Sequence, residues 1–253
     1  MITKEEIDEL VQTYETKEFF YDDPVGIPNR FSDKKDKEIA GFIASLVAYG
    51  RREVFLKKLA ILFEIAQNEP LNFILNFEPE VLGDFNYRFG KPDDFAQIFN
   101  IMRDLYEKEG GLEELFKYGY ENQINDNMFI PVTDYFYSKA RDNSAQGFRF
   151  MLPDARKGSA MKRMCMYLRW MVRKGPVDFG LWDFMPASDL YIPLDTHVAR
   201  ISREMGLLSR NANDFKSVVE LTENLKKFDA NDPAKYDFAL FGYGVNNLSL
   251  IHI

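Results

Sequence analysis

Two residues in the second half of the chain have side chains and settings suited to chemistry at a positively charged centre. Asp195 stands immediately before a predicted helix, in the stretch PLDTHVARI at residues 193–201, and Thr196 begins that helix. Aspartate is among the best helix N-caps, and a partly buried carboxylate can also stabilise positive charge that develops on a substrate. The sequence leaves both roles open, and one aspartate can fill them together.

Lys162 lies in the first turn of a helix predicted to follow Ser159 and to end near Lys174. The helix macrodipole disfavours a cation in that turn by about 0.3–1 kcal/mol. It therefore favours the neutral amine, which is the form that acts as a nucleophile. The alternative is an ordinary exposed lysine whose side chain bends away from the helix end.

Basic residues are concentrated around this second helix. The chain has a net charge of −8, but residues 155–177 hold seven basic side chains and no acid, so the remainder carries −15. On a helical wheel the basic residues Lys162, Arg169 and Arg173 share one face. The opposite, apolar face consists of Met161, Met164, Cys165, Leu168, Met171 and Val172. The basic face is either a phosphate-binding surface or a solvated surface whose arginines pair with acids elsewhere in the chain.

Taken in order, these pieces resemble a known superfamily. A lysine-bearing helix start, an interval of about thirty residues, Asp-Thr-His followed by Val198 and Arg200, and a Gly206-Leu207 helix stop are similar to the endonuclease III superfamily of helix-hairpin-helix DNA glycosylases. Residues 42–52 resemble its early helix and DNA-facing turn, and residues 236–244 resemble its closing helix. The sequence as a whole also looks like an uncharacterised bacterial family that is placed in that superfamily.

The resemblance implies a DNA glycosylase-like protein that removes a damaged base flipped out of the helix, and it makes DNA the expected partner. Asp195 matches the residue that stabilises charge on the sugar or activates the nucleophile, and Lys162 is the candidate nucleophile. Candidate phosphate-binding residues are Arg51, Arg52, Arg156, Lys157, Arg163, Arg169 and Arg173. His197 and Tyr49 are further site candidates.

The hairpin segment departs from the superfamily pattern of Leu-Pro-Gly-x-Gly-x-Lys. Residues 152–160 read LPDARKGSA, so Asp154 would repel a phosphate, and aligning Gly158 with the second glycine places Ala160 where the Schiff-base lysine belongs. DNA lyase activity is therefore not expected. Two alternatives remain, a non-catalytic DNA- or nucleotide-binding protein with the same fold and an unrelated helical scaffold in which Asp195 only caps its helix.

The elements that must position these residues are predicted to be helices throughout. Apolar residues at helical spacing follow Ser32-Asp33, and Tyr49-Gly50 interrupts this pattern. The sequence leaves open whether the region forms one kinked helix or two. Further helix starts are predicted at Asp93-Asp94, Asp214 and Asp232-Pro233. We expect one all-α unit, residues 1–253, with lobes at 35–150 and 151–253 and the N-terminal segment packed on either lobe.

Composition limits the other function classes. Cys165 is the only cysteine and the chain has two histidines, so neither an intramolecular disulfide nor an iron–sulfur cluster held by this chain alone is expected, nor any other metal or cofactor. The acidic N-terminus does not resemble a secretory signal, and no apolar stretch approaches the roughly 20 residues that span a bilayer. We therefore expect a cytoplasmic protein without membrane partners. The oligomeric state stays open.

Overall fold

The computed structural model describes residues 2–18, 23–141 and 146–248, and it is all-helical over them, as predicted. The α-helices are α1 Lys4–Tyr14, α2 Lys34–Val47, α3 Arg52–Ile65, α4 Pro70–Leu75, α5 Pro92–Lys108, α6 Leu112–Glu121, α7 Phe129–Lys139, α8 Gln146–Met151, α9 Lys162–Val172, α10 Thr196–Glu204, α11 Phe215–Lys226 and α12 Tyr236–Leu248. Short 3₁₀ helices connect several of them, and only isolated β-bridges occur in these ranges. Among the described residues, no helix is both long and apolar enough to cross a membrane.

The chain forms two compact units. One, called the central unit here, is Asp22–Lys157 and contains α2 to α8. The other combines Met1–Tyr21 with Gly158–Ile253, contains α1 and α9 to α12, and is called the composite unit. The division falls between Lys157 and Gly158, directly before the helix that carries Lys162.

Helix α2 is the core of the central unit. The carboxylate of Asp33 caps it by accepting hydrogen bonds from the amides of Lys35 and Asp36. Every residue from Glu38 to Val47 is buried. The helix ends before Gly50, whose φ of +84° and close neighbours exclude a side chain, so α2 and α3 are two helices rather than one kinked helix.

Helices α5 and α8 are joined at their N-terminal ends by one buried carboxylate. Asp94, in the first turn of α5, accepts hydrogen bonds from the amides of Lys91 and Phe148. The predicted helix start at Asp93-Asp94 is thus correct to within two residues, because Pro92 is the first helical residue. Gly147 permits this contact, since a Cβ there would lie 2.3 Å from both Asp94 Oδ2 and the Phe89 carbonyl oxygen.

The composite unit is built on α12. Helix α1, which the sequence analysis did not predict, packs along α12, and the hydroxyl of Tyr236 donates a hydrogen bond to Asp8 at 3.0 Å. Helix α10 packs along another side of α12. Helix α11 begins after Asp214, whose carboxylate accepts from the Ser217 amide, as the sequence predicted. Asp232 precedes the 3₁₀ turn Pro233–Lys235 but makes no side-chain cap there.

Candidate functional site

Asp195 is the N-cap of α10, as predicted. Its Oδ1 atom accepts hydrogen bonds from the amides of His197 and Val198, both at 2.8 Å. Its other oxygen, Oδ2, takes no hydrogen bond from the residues that the structure describes, and the side chain is partly exposed. The cap therefore fixes the position of the carboxylate and still leaves one oxygen for another partner.

Lys162 is the first residue of α9. The preceding residue, Met161, has a left-handed backbone with φ of +50°, and no side chain caps this helix. The hydroxyl of Ser159 accepts from the Met161 amide at 3.4 Å, so Ser159 lies close to the helix start without being its N-cap. Lys162 is half-buried, and within the described ranges its ammonium makes no hydrogen bond or ion pair.

Helices α10 and α12 run parallel, which brings their N-terminal ends together. His197 lies edge-on to Phe241, with ring centroids 6.4 Å apart. One turn further along both helices, Arg200 donates to the carbonyl oxygen of Gly244 at 3.3 Å. Since contact partners advance in the same direction on both helices, Asp195 at the start of α10 lies near the first turn of α12, where Asp237 stands.

The carboxyl group of Asp237 interacts with several charged side chains of the composite unit. Its Oδ2 atom is bonded to the guanidinium of Arg169, and 13% of its side chain is exposed. Burial raises the pKa of Asp237 to about 7, which Arg169 opposes; the negative charge of Asp195 raises this pKa further and the positive charge of Lys162 lowers it. Asp195 and Lys162 are therefore both close enough to act on the same carboxyl group.

Sequence reasoning missed Asp237. The signal was an acid in the first turn of the apolar stretch YDFALFGYG, where a buried helix would ordinarily hold a neutral residue. The structure thus assembles two predicted residues, Asp195 and Lys162, with one that was not predicted. We call Asp195, Lys162 and Asp237 the acidic–amine cluster.

Both interpretations of the basic face expected Arg169 and Arg173 to be solvent-exposed, and that was wrong, although the two arginines do pair with acids elsewhere in the chain, as one interpretation expected. Their side chains are 2% and 5% exposed. Arg169 bonds to Asp178 at 3.2 Å, and its guanidinium carbon lies 4.1 Å from the ring centroid of Phe238. The helical wheel treated α9 as a surface helix, whereas every residue from Met164 to Val172 is buried, so its basic residues must pair inside the protein.

A family model described as "Protein of unknown function (DUF2400)" matches residues 23–246 of the chain. The chain belongs to this family. No curated protein and no solved structure gives a match. The match covers all three residues of the acidic–amine cluster.

Three further basic candidates of this DUF2400 member, Arg156, Lys157 and Arg163, lie close in sequence to the division after Lys157. Arg156 is exposed and pairs with Asp134 through two hydrogen bonds, of 2.9 and 2.5 Å. Lys157 has 74% of its side chain exposed and lies 4.0 Å from Asp154. Arg163, the second residue of α9, is half-buried. Lys157 is thus more exposed than Arg156, of whose side chain 50% is exposed.

The turn that precedes α9 contains a glycine with a left-handed backbone. Gly158 has a φ of +74°, and open space surrounds the position of its missing Cβ. It directly follows the 3₁₀ helix Ala155–Lys157, and its carbonyl oxygen accepts a hydrogen bond from the Phe215 amide at 3.0 Å. The exposed ammonium of Lys157, directly before this glycine, can bind an anion such as a phosphate.

Besides Arg156 and Lys157, three more candidates belong to the central unit and are not part of the acidic–amine cluster. The hydroxyl of Tyr49 donates to the carbonyl oxygen of Tyr87 at 3.0 Å, and its ring contacts Phe150. Arg51 is exposed at the N-cap position of α3, and Arg52 is the first residue of that helix. The fourth, His197, lies in the composite unit, where its ring packs against α12.

Among the described residues, the acidic–amine cluster neither forms part of a metal site nor lines the cavity described next. No group of three or more His, Cys, Asp or Glu in the described ranges is arranged to hold a metal ion. Cys165 is buried, and burial raises the pKa of its thiol. A cavity of about 500 Å³ in the composite unit adjoins Arg173, Trp182 and Asp232 at the C-terminal end of α9. Lys162 lies at the opposite end of that helix, so this cavity does not belong to the cluster.

Proposed function

We propose that this protein is DNA glycosylase-like and breaks the N-glycosidic bond of a damaged base that is flipped out of DNA. The observation that carries the proposal is the arrangement of Asp195, whose Oδ1 atom is fixed by two helix amides while its Oδ2 atom takes no hydrogen bond from the described residues. Asp195 and Lys162 both lie within electrostatic range of Asp237. The resemblance of the Asp-Thr-His segment to the glycosylase superfamily supports the same role.

The physical requirement is a fixed negative charge beside the sugar. As the base departs, positive charge develops on the sugar ring, and a preorganised carboxylate stabilises it more than a mobile one would. Two backbone amides hold Asp195 in place, so no reorganisation is needed when the charge appears. Removing one such electrostatic partner from an active site costs about 10²–10³ in rate.

DNA is held, in this proposal, at the turn before α9. The exposed ammonium of Lys157 supplies the positive charge that a phosphate needs. Arg169 and Arg173 have no part in it, because internal acids occupy them. Contact with DNA is therefore local, on a chain whose other regions are acidic.

Lys162 would be the nucleophile only if the enzyme were bifunctional, releasing the base and also cleaving the DNA strand. Ala160 occupies the position at which the superfamily pattern has its Schiff-base lysine. We therefore propose hydrolysis by water and no strand cleavage. Borohydride trapping distinguishes attack by water from attack by the Lys162 amine, since only an amine nucleophile forms a reducible covalent complex with the sugar.

Base release from damaged DNA duplexes under single-turnover conditions tests the proposal. Asp195→Asn keeps a capping side chain and removes the charge, so we expect release to slow by about 10²–10³. Asp33→Asn is the matched control, because Asp33 also caps a helix through one oxygen that accepts two amides. Equal release by wild type and Asp195→Asn would exclude this mechanism.

The exposed Lys157 favours a second candidate, a DNA- or nucleotide-binding protein without catalysis. Its ammonium would bind a phosphate whether or not Asp195 has a catalytic role. Salt-dependent duplex binding without base release from any damaged duplex would favour this candidate over the first.

A further inference from the structure

The central unit exposes part of a run of aromatic rings beside the turn at residues 87–90. The ring centroid of Phe89 lies 4.7 Å from that of Phe150, and the Phe150 centroid lies 4.8 Å from that of Tyr49. Phe89 is 41% exposed and Phe150 is half-buried. We call Phe89, Phe150 and Tyr49 the aromatic platform. Apolar rings that cluster at a surface mark an interaction site, whereas single exposed rings do not.

Reciprocal hydrogen bonds fix the platform to the central unit. The hydroxyl of Tyr49 donates to the carbonyl oxygen of Tyr87 at 3.0 Å, and the hydroxyl of Tyr87 donates to the carbonyl oxygen of Tyr49. The amides of Tyr87 and Gly90 each donate to the carbonyl oxygen of the other, at 2.9 and 2.8 Å. A partner that stacks on these rings therefore binds a surface that needs little ordering, which favours its affinity.

Three chain segments without acids carry the platform. They read VAYGRR at 47–52, FNYRFGKP at 85–92 and QGFRFMLP at 146–153, and they hold five basic residues on a chain whose net charge is −8. The five are Arg51, Arg52, Arg88, Lys91 and Arg149. Acids resume directly after each segment, at Glu53, Asp93 and Asp154, so the positive charge is confined to these segments. They are an exception in an acidic chain, as residues 155–177 are.

Buried Asp94 joins the segments that carry Phe89 and Phe150. Its carboxylate accepts hydrogen bonds from the amides of Lys91 and Phe148, and only 1% of the residue is exposed. The acid that holds two basic segments together is therefore shielded from a ligand at the surface.

Four of the five basic side chains are exposed, and they form no ion pair with an acid of the described residues. The four are Arg51, Arg88, Lys91 and Arg149. The guanidinium carbon of Arg88 lies 5.9 Å from the ring centroid of Tyr49. Gly50 leaves room for it, since a Cβ there would lie 2.5 Å from Arg88 Nη1. A guanidinium beside an aromatic ring can bind a phosphate while a neighbouring ring stacks on a base.

We propose that the aromatic platform binds single-stranded DNA, with bases stacked on Phe89 and Phe150 and phosphates beside the exposed cations. Every base has a π-face, so this binding is independent of sequence. The inference goes beyond the proposed function, which holds DNA at the turn before α9 and uses no residue of the platform. It takes from that function only the choice of DNA as the nucleic acid.

The combination of rings and cations selects an unpaired strand. In a duplex the bases stack on one another, so their faces are not available to a phenyl ring along the helix. An apolar peptide would contact the rings and leave the cations without partners. A single strand alternates base and phosphate along its length, and this matches both features of the surface.

The first experiment measures binding of the full chain to labelled oligomers of about 12 nucleotides, a length within the usual site sizes. Oligodeoxythymidine is compared with an abasic oligomer that has the same number of phosphates and no bases. We expect oligodeoxythymidine to bind at least about tenfold more tightly, since stacking on one ring alone supplies about that factor. Equal affinities would overturn the proposal. Binding of oligouridine more than about tenfold tighter still would make RNA the partner and overturn the choice of DNA.

The second experiment removes the most exposed ring. Phe89→Ala should weaken oligodeoxythymidine binding by about 5- to 150-fold and leave the affinity for a blunt duplex unchanged. Phe89→Trp keeps a stacking ring and should retain most of the affinity. Tyr118→Ala is the matched control, because Tyr118 is a 56% exposed ring of α6 outside the platform. Equal losses in Phe89→Ala and Tyr118→Ala, or equal losses for single strand and duplex, would exclude stacking at the platform.

The third experiment tests the cations. Arg149→Gln should decrease the slope of log affinity against log salt for the single strand by about 0.7. Lys108→Gln removes an exposed lysine away from these segments and should leave the slope unchanged. A decrease of the same size in both variants would show that the phosphates are not held beside the platform.

The outcomes for the platform and for the proposed function are separable. If wild type releases no base from damaged duplexes but binds oligodeoxythymidine in a way that Phe89→Ala abolishes, the proposed function fails and the platform is supported. If Phe89→Ala binds the oligomer as wild type does, the platform is excluded whatever the result for base release.

Discussion

The guanidinium of Arg173 binds the carboxylate of Glu15, a residue 158 positions earlier in the chain. Both side chains are less than one-tenth exposed. Arg173 also bonds to Asp178 at 2.9 Å and to Asp232 at 2.8 Å, so one cation pairs with acids from three separate segments. This contact attaches the segment after α1 to α9 within the composite unit.

Replacing Arg173 should therefore destabilise the protein strongly. Arg173→Met leaves Glu15, Asp178 and Asp232 without their shared cation, and uncompensated buried charge of this kind costs about 3–5 kcal/mol. Urea unfolding measures the loss. Arg156→Met is the matched control, since Arg156 pairs with Asp134 at an exposed site and its loss should change stability little. Similar losses in both variants would show that the buried arginine is not a structural centre.

Two glycines should respond differently to alanine. A Cβ at Gly147 would lie 2.3 Å from the Phe89 carbonyl oxygen, a backbone atom that cannot move alone, so Gly147→Ala should cost about 1–3 kcal/mol or more. Gly158 has open space around it, and Gly158→Ala meets only the strain of its positive φ, about 1–2 kcal/mol. Thermal unfolding of both variants should show the larger decrease for Gly147→Ala, and the reverse order would contradict the packing at Asp94.

The turn before α9 should set the salt dependence of DNA binding. Lys157→Gln removes one exposed cation there, so the slope of log affinity against log salt should decrease by about 0.9. Lys108→Gln removes a comparably exposed lysine at the end of α5 and should leave the slope unchanged. A titration with labelled duplex measures both. An equal decrease for the two variants would mean that DNA contacts are not localised at this turn.

The start of a helix could be predicted from the sequence where it depends only on contacts between neighbouring residues. Asp33, Asp195 and Asp214 cap helices through contacts with the next two or three residues, so spacing in the sequence is sufficient to find them. Helix α1 went unpredicted, although Thr3 and Glu6 form a capping box at its start. That reciprocal pattern was the available signal.

The environment of α9 could not be predicted from the sequence. The wheel correctly placed Arg169 and Arg173 on one face, but whether that face meets water depends on acids at positions 15, 178 and 237, far apart in the chain. The same limit applies to Asp237. Its proximity to Asp195 follows from the parallel packing of α10 and α12, which no local pattern encodes.

Asp237 should leave a signature in the pH dependence of stability. Its folded pKa of about 7 lies above the ordinary aspartate value of roughly 3.9, so between these values the folded protein keeps a proton that the unfolded chain has released. Stability from this group is therefore complete below about pH 4 and decreases as pH rises toward 7. Asp237→Asn removes the effect. The stability of wild type minus that of the variant should decrease by a few kcal/mol, about 4 at most, over this range.

Urea unfolding at about pH 4.5 and about pH 7.5 measures this difference. Asp229→Asn supplies a control that should show almost no difference between these two pH values, because both lie above the pKa of an unfolded aspartate. A hydrogen bond from Lys235 lowers the pKa of Asp229, so its contribution is present above the unfolded pKa and disappears as pH decreases. If the difference between wild type and Asp237→Asn is the same at both pH values, the Asp237 carboxyl ionises like an exposed aspartate.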